Sequence, residues 1–411
     1  MLNKFLFAAL FAWISFFPEP VQGEYCVYTI LFLAIFLLGL FFNKNNLRLF
    51  SLKDWPLWLL LLGLLSGTIV ATDKSIAWTT YSNLVLPLFL LFYLGKGLLA
   101  IDENGNTVSA VICICSLIVA IIGLGEFYFG KNILYENFII NIFYERYRFV
   151  GRPMSTLQNP VILGTYLLGC FPFGLFLLKN KSVNLRLLGV AALLLSAFVI
   201  ILTFSRGVFL GFMVMLFFYL WQEHKTKLLK VFALCLVAVI IFCTFQKNVN
   251  LTRFGFQRLI AGSYDSILSE YRFERVKMTA RIFKDHPFLG IGFNHFRIRF
   301  NEYCSLGNSN EIYEFRIPDN MYLMFLAETG LIGSIGFLLF IGFLLKSGLK
   351  KVKNRLDSQG QVIFVSLVAL IGLLINMGAY ELFYWWNPYL FFCLLCGFVA
   401  APRSKSAKIN K

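Results

Sequence analysis

Arginines gather in a few segments of this chain, and their side chains suit one kind of chemistry. A guanidinium is a planar fork of donors that matches phosphate and carboxylate oxygens and stays charged beside lipid. In LTFSRGVFLGF, residues 202–212, Ser205-Arg206-Gly207 stands between two long apolar runs with almost no loop. An arginine at that depth is costly unless it is paired or faces a ligand, with snorkelling to the interface as the plainer account. In GRPMSTLQNPVILGTYL, residues 151–167, Arg152, Ser155, Thr156, Gln158 and Asn159 form a polar collar where Asn159-Pro160 starts a helix. A helix N-terminus offers unpaired N–H groups that favour anions, although for Asn159 simple capping suffices.

Two further segments carry acid–base candidates. SEYRFERVKMTARIFKDHPFLGIG, residues 269–292, reads as an amphipathic helix stopped by His286-Pro287. Phe273, Val276, Ala280 and Phe283 recur at helical spacing, so the spacing predicts an apolar stripe laid on the membrane surface. Arg272 and Arg275 stand within reach of a lipid-borne phosphate, with Arg281 as a helper, whereas Lys277 and Lys284 read as solvated. PDNMYLMFLAETGLIGSIGFLLF, residues 318–340, opens a long span with Asp319-Asn320 at the interface and Glu328 two to three turns deeper. An acid that deep faces the bundle interior and has a partner. Asp319 has two readings, a helix cap or a base that takes a proton from a sugar hydroxyl. His295 is a third candidate for the base, and the residues alone leave Asp319, Glu328 and His295 open. No HExxH, clustered carboxylates or glycine-rich phosphate loop points to a metal or a nucleotide. The energy for any reaction must arrive with the substrate.

The elements that position these residues follow from composition. The chain has 411 residues, 59% hydrophobic and only 14% charged, with a net charge of +16. Such a chain is neither disordered nor a coiled coil; it is an all-α polytopic membrane protein that uses lipid as part of its solvent. Twelve apolar windows begin near Phe5, Tyr25, Trp55, Trp78, Thr107, Val161, Leu185, Gly207, Leu228, Asn320, Gln361 and Phe383. The first is also consistent with a cleaved signal peptide, and we read it as an uncleaved span. Lysine-rich loops at 44–53, 179–186, 225–230 and 346–355 and the basic tail predict that both termini are cytoplasmic. On that topology 16 of 21 Lys are inside, whereas 12 of 16 Arg are outside. The outer set is Arg146, Arg148, Arg152, Arg206, Arg253, Arg258, Arg272, Arg275, Arg281, Arg297, Arg299 and Arg316, which favours an outer anion site.

The organisation expected is therefore residues 1–246 as nine spans with a shorter outer loop near 128–158. Residues 247–319 follow as the long outer loop with the amphipathic helix, and residues 320–411 as three spans with a basic cytoplasmic tail. The nine cysteines are mostly inside apolar runs, where Cys acts as a small hydrophobe, and only Cys304 is a clear loop cysteine.

In order and spacing, GRPMSTLQNP, TFSRG, RFERVKMTARIFKDHPFLGIGFNHF and DNMYLMFLAETGLIG resemble the O-antigen ligase and Wzy-type polymerase superfamily of bacterial membrane glycosyltransferases. The resemblance covers most of the chain from about Arg146 onward, and the DHPFLGIG and NMYLMFLAETGLIG pair is its most specific part. It implies a GT-C type enzyme of the bacterial inner membrane, acting on the periplasmic face in lipopolysaccharide or exopolysaccharide biosynthesis. The donor implied is a glycan on a polyprenyl (undecaprenyl) diphosphate; the acceptor is lipid A–core or another glycan, and related members glycosylate proteins. No metal, cofactor or nucleic acid is implied. By resemblance Arg206 and Arg272 match the family's functional arginines and Arg152 an arginine of its first motif. Asn159, Arg275, Arg281, Asn320 and Glu328 would complete the substrate site. The departure is Asp319: ligases of the family usually read HN where this chain reads DN. Pre-placed guanidinium groups stabilise the charge that gathers on a departing diphosphate more than they stabilise the ground state. The competing expectation is a flippase or transporter of the same lipid, which should show a polar path across the membrane, with repeats and broken helices.

Overall fold

The computed structural model describes residues 2–16, 54–101, 105–130, 152–157, 159–223, 230, 266–305, 317–352 and 358–402. Their regular structure is all helical, joined by turns and loops, with no strand among them. We number the helices α1 (Leu2–Phe16), α2 (Trp55–Val70), α3 (Lys74–Ile101), α4 (Asn106–Phe129), α5 (Pro160–Leu177) and α6 (Val183–Leu202). They continue as α7 (Arg206–Gln222), α8 (Ser266–Asp285), α9 (Met321–Val352), α10 (Ser358–Asn376) and α11 (Trp386–Ala400). Six of them, α3, α4, α5, α6, α9 and α10, are long and apolar enough to cross a membrane; α1, α2, α7 and α11 are shorter apolar helices. Helices thus stand at each expected window except those near Tyr25 and Leu228, which lie outside the described residues.

The chain divides into two compact units, interleaved in sequence. The first holds α1, α4, α5, α6, α7 and α10. Its helices approach through small residues, as lipid-embedded helices must when no hydrophobic drive separates protein from solvent. A Cβ on Gly174 would lie 2.7 Å from the Leu193 side chain, and one on Gly211 would lie 2.6 Å from the Gly372 carbonyl oxygen. Polar ties join the same helices: Asn376 Nδ2 donates to Thr165 Oγ1 at 2.7 Å, between α10 and α5. α4 closes at Gly130, whose left-handed backbone sends its N–H to the Glu126 carbonyl.

The second unit holds α2, α3, α8, α9 and α11. α2 runs antiparallel to α9, and a Cβ on Gly63 would lie 2.7 Å from the Gly333 Cα. α3 runs beside α11, where a Cβ on Gly397 would lie 2.3 Å from the Phe92 carbonyl oxygen. At the Asp54 end of α2 the buried Lys96 ammonium of α3 meets the buried Asp54 carboxylate at 2.7 Å. A pair taken this far from water holds only while both partners are present.

α9 is broken at Gly330, whose φ of 59° and ψ of −155° are not helical. The break fits a second glycine. Gly290, with φ of 70°, lies so close that a Cβ there would stand 2.4 Å from the Glu328 carbonyl carbon; a Cβ on Gly330 would stand 2.5 Å from that of Phe288. Only glycine combines the positive φ with that approach. Ile291 and Gly292 donate N–H groups to the Ala327 and Glu328 carbonyls, at 3.0 and 3.1 Å. Leu331 and Ile332 donate to the Pro287 and Phe288 carbonyls, at 2.9 and 3.2 Å. The helix groups freed by the break are thus answered by the loop after α8, as a break in a lipid-embedded helix requires. The two most specific sequence motifs form one hydrogen-bonded body.

Candidate functional site

In the first unit the collar segment meets the turn that carries Arg206. Arg152 Nε donates to the Thr203 carbonyl at 2.6 Å. That turn is tight, as the sequence predicts: α6 ends at Leu202, Ser205 precedes α7, and Arg206 is its first residue with an exposed side chain. Phe204 within it has φ of 47°, a conformation that a bulky residue adopts only when its surroundings compel it. Asn159 is a cap, its Oδ1 accepting the Val161 N–H at 2.8 Å, so the plainer reading of that residue holds. Gln158 lies outside the described residues.

The collar is held by Glu126, a residue that sequence reasoning passed over inside its span. Its Oε2 accepts the N–H groups of Met154 at 3.0 Å and Ser155 at 2.6 Å. Ser155, at φ of 54°, sends its hydroxyl to the Val119 carbonyl at 2.7 Å, and the Thr156 hydroxyl reaches the Ser15 carbonyl at 2.7 Å. Glu126 is fully buried, and its Oε1 has no hydrogen-bond partner among the described residues. The signal available in sequence was an acid in an otherwise apolar run, one of the few there.

In the second unit the predicted amphipathic helix is α8, and its faces are distributed unevenly. Phe273, Val276 and Ala280 are exposed and not covered by protein, in keeping with a stripe turned to lipid. The face packed on protein is Glu274, Arg275, Met278, Thr279 and Ile282, with Met278 and Ile282 in one cluster with Ile291, Phe296, Phe300 and Ala327. Charge is therefore buried here at Glu274 and Arg275, whereas Lys277 and Lys284, read as solvated, are exposed. Buried charges persist only when paired. Arg275, almost wholly buried, forms an ion pair with the half-buried Asp319. Glu274 accepts from Arg281 Nη1 at 2.8 Å, from the Ser305 N–H at 3.0 Å and from its hydroxyl at 2.7 Å. Burial pushes its pKa up, but these hydrogen bonds outweigh it and hold the carboxyl below the usual range.

Arg281 also donates to the Tyr303 carbonyl, so it ties the helical turn Phe300–Tyr303 to α8. Arg272 lies in α8, but its side chain is outside the described residues. Arg146, Arg148, Arg253, Arg258 and Arg316 are outside them as well. Arg297 is exposed, and Arg299 pairs with Glu302 at 2.6 Å.

The structure separates the two readings of Asp319. The cap of α9 is Asn320, whose Oδ1 accepts the N–H groups of Tyr322 and Leu323 at 3.0 and 3.1 Å. Its Nδ2 donates to the Gly378 carbonyl at 2.7 Å. Asp319 sits one residue earlier at φ of 48°, a conformation Asp tolerates, and its carboxylate is turned to Arg275 rather than to the helix. The other two candidates for the base are committed. Glu328 Oε2 accepts the Asn294 N–H at 3.0 Å and the Tyr384 hydroxyl, and its Oε1 accepts the Phe296 N–H at 3.0 Å. His295 is fully buried: its Nε2 accepts the Asp73 N–H at 2.9 Å, which leaves Nδ1 to donate to the Phe293 carbonyl at 2.8 Å. Both hold the loop after α8 in place.

Sequence reasoning also missed Glu381, between α10 and α11. It is 1% exposed; Oε1 accepts the Trp385 indole N–H at 3.1 Å, and Oε2 has no partner among the described residues. Burial first, and then the charge of Asp319, push its carboxyl up to about 7, against the opposing pull of Arg275. Among the described residues no three His, Cys, Asp or Glu side chains converge as a metal site would require.

Six long apolar helices and this architecture define the class: an all-helical, multi-pass membrane protein. A family model for the O-antigen ligase, Wzy_C, matches residues 191–338. The match supports the O-antigen ligase/Wzy-type family for this chain, as the motifs led us to expect, and it points to a membrane glycan-transferring ligase or polymerase. It spans the Arg206 turn, α8, the loop after it, and the first half of α9. The chain matches no curated protein.

Proposed function

We propose that this chain moves a glycan from a polyprenyl diphosphate carrier to an acceptor hydroxyl at the periplasmic face of the bacterial inner membrane. No metal or nucleotide takes part. The observation that carries the reading is Asp319: with Asn320 serving as the cap, its carboxylate is half exposed and beside a buried arginine. In the first unit, Arg206 and Arg152 bind diphosphate oxygens. In the second, Arg272 adds a guanidinium, and Arg275 orients Asp319. The acceptor oxygen bonds to the anomeric carbon as its proton passes to Asp319. The sugar–phosphate bond breaks with its electron pair leaving on the diphosphate, inverting the anomeric centre. Residues 247–319 form the long outer loop in this scheme, and both termini are cytoplasmic.

The test uses purified protein, a polyprenyl diphosphate-linked oligosaccharide and candidate acceptors, without metal or nucleotide. Release of polyprenyl diphosphate with one added block identifies a ligase, and a ladder identifies a polymerase. Arg206→Ala and Asp319→Ala are each expected to lower turnover by roughly a hundredfold or more. Full activity in Arg206→Ala would sink the scheme, and lipid flipping in vesicles without transfer would identify a transporter instead.

A further inference from the structure

Behind the Arg275–Asp319 pair lies a second carboxyl whose position has no structural explanation of its own. Glu381 belongs to a loop pinned at three points. Asn320 Nδ2 holds the Gly378 carbonyl, Trp385 Nε1 holds Glu381 Oε1, and the Tyr384 hydroxyl is bonded to Glu328. The Tyr380 ring stacks on Trp385 at 5.8 Å and screens the loop further. These ties fix Glu381 beside the start of α9 with one oxygen of its carboxyl in hand and the other, Oε2, buried and unpartnered among the described residues. Leaving a buried acceptor unmet is costly, so such a group calls for an explanation, a role in the reaction or an ordered water among them.

The charges that act on Glu381 are Asp319, from the residue before the α9 cap, and Arg275, from α8. Among the described residues its side chain otherwise meets the uncharged Trp385 indole and its own backbone N–H. Three charged groups therefore form one set, with two carboxyls and a single guanidinium. Two carboxyls that share one cation cannot both be fully compensated, so each responds to the other's proton.

We propose that Glu381 is a positioning residue for the transfer reaction, acting through Arg275 to govern how readily Asp319 takes the proton of the acceptor hydroxyl. The inference rests on the glycan-transfer reading above. With Glu381 neutral, Arg275 is committed to Asp319. With Glu381 ionised, its negative charge competes for Arg275, and a proton is drawn onto Asp319 more readily. Glu381 itself is buried and touches neither donor nor acceptor. Burial and the charge of Asp319 push its pKa up to about 7, so this exchange falls near neutral pH.

The experiment has two arms. In the first, turnover is followed against pH for the wild type and for Glu381→Gln, whose amide oxygen keeps the Trp385 bond. The wild type should gain rate as pH rises through about 7, whereas the variant should lose that rise and run roughly tenfold slower above it. A profile that superimposes on the wild type, or a uniform loss with a lower melting temperature, overturns the proposal. In the second arm, infrared difference spectra of protein in lipid nanodiscs follow the carbonyl stretch of a protonated carboxylic acid. Glu126 and Glu328, present in both proteins, cancel in the difference between wild type and Glu381→Gln; the band that remains should vanish as pH rises through about 7 and do so at lower pH in Asp319→Asn, because a raising charge is removed. A band that Asp319→Asn leaves in place overturns the coupling. If the wild type transfers nothing, the glycan-transfer reading fails by itself, and the infrared arm still decides whether the carboxyls are coupled.

Discussion

Glu126 in the first unit and Glu328 in the second are both buried, both lie in apolar helices, and both hold the backbone of a loop that carries candidate site residues. They do so differently. Glu126 takes the Met154 and Ser155 N–H groups on one oxygen and leaves the other unpartnered among the described residues. Glu328 uses both oxygens and adds a side-chain donor, Tyr384. The first arrangement asks only for an acceptor at one point. The second asks for a carboxyl, since an amide in its place would turn a donor toward a donor.

The contrast can be broken by substitution, with melting temperature of the purified protein as the readout. Glu328→Ala strips one buried and two half-buried donors of their acceptor, at roughly 1–3 kcal/mol each, and no folded protein should be recovered. Glu126→Ala strips two, and a protein that is recovered but melts well below the wild type is expected. Glu328→Gln can satisfy one side only, so a single N–H is left facing an amide; a loss of about 1–3 kcal/mol follows. Tyr384→Phe removes one donor and leaves both loop N–H bonds, for a loss of about 1 kcal/mol. Glu126→Gln keeps an oxygen where both N–H groups point and sets its NH2 where Oε1 has no partner among the described residues, so the smallest loss, under about 1 kcal/mol, is expected. Equal losses in the two glutamine variants would mean that the two carboxyls hold their loops in the same way.

The helices at the described windows were readable because a lipid-spanning segment must be apolar along its length, whatever it packs on. The tight Arg206 turn was readable for the same reason: two apolar runs left no residues for a loop. Other features were hidden by the nature of the partner. Glu328 was read as a buried acid with a partner, but the partners are mostly backbone N–H groups of Asn294 and Phe296, and a backbone group has no letter in the sequence. Asp319 and Asn320 are adjacent residues of nearly equal capping ability, so only geometry could assign the cap. On α8 the apolar stripe was visible, but the side facing protein was not, since Glu274 and Arg275 are buried by partners far along the chain. Glu381 sits among aromatics at the edge of a predicted span, where a lone acid reads as part of a short loop. An acid flanked by Tyr380 and Trp385 was the available signal.

The splice at Gly330 also bears on the order in which the molecule is made. The loop after α8 donates to and accepts from helix groups that lie about forty residues later in the chain, at Ala327, Glu328, Leu331 and Ile332. During synthesis those loop groups emerge first and have nothing of their own to bind, so water must hold them until α9 arrives. α9 in turn has unmet carbonyls at its break until the loop returns, and a lipid-embedded segment cannot keep them waiting. Neither half is complete alone. One step in building this unit is therefore the docking of an already translated loop onto a newly inserted helix, which brings Arg275 and Asp319 together only once that span is in place.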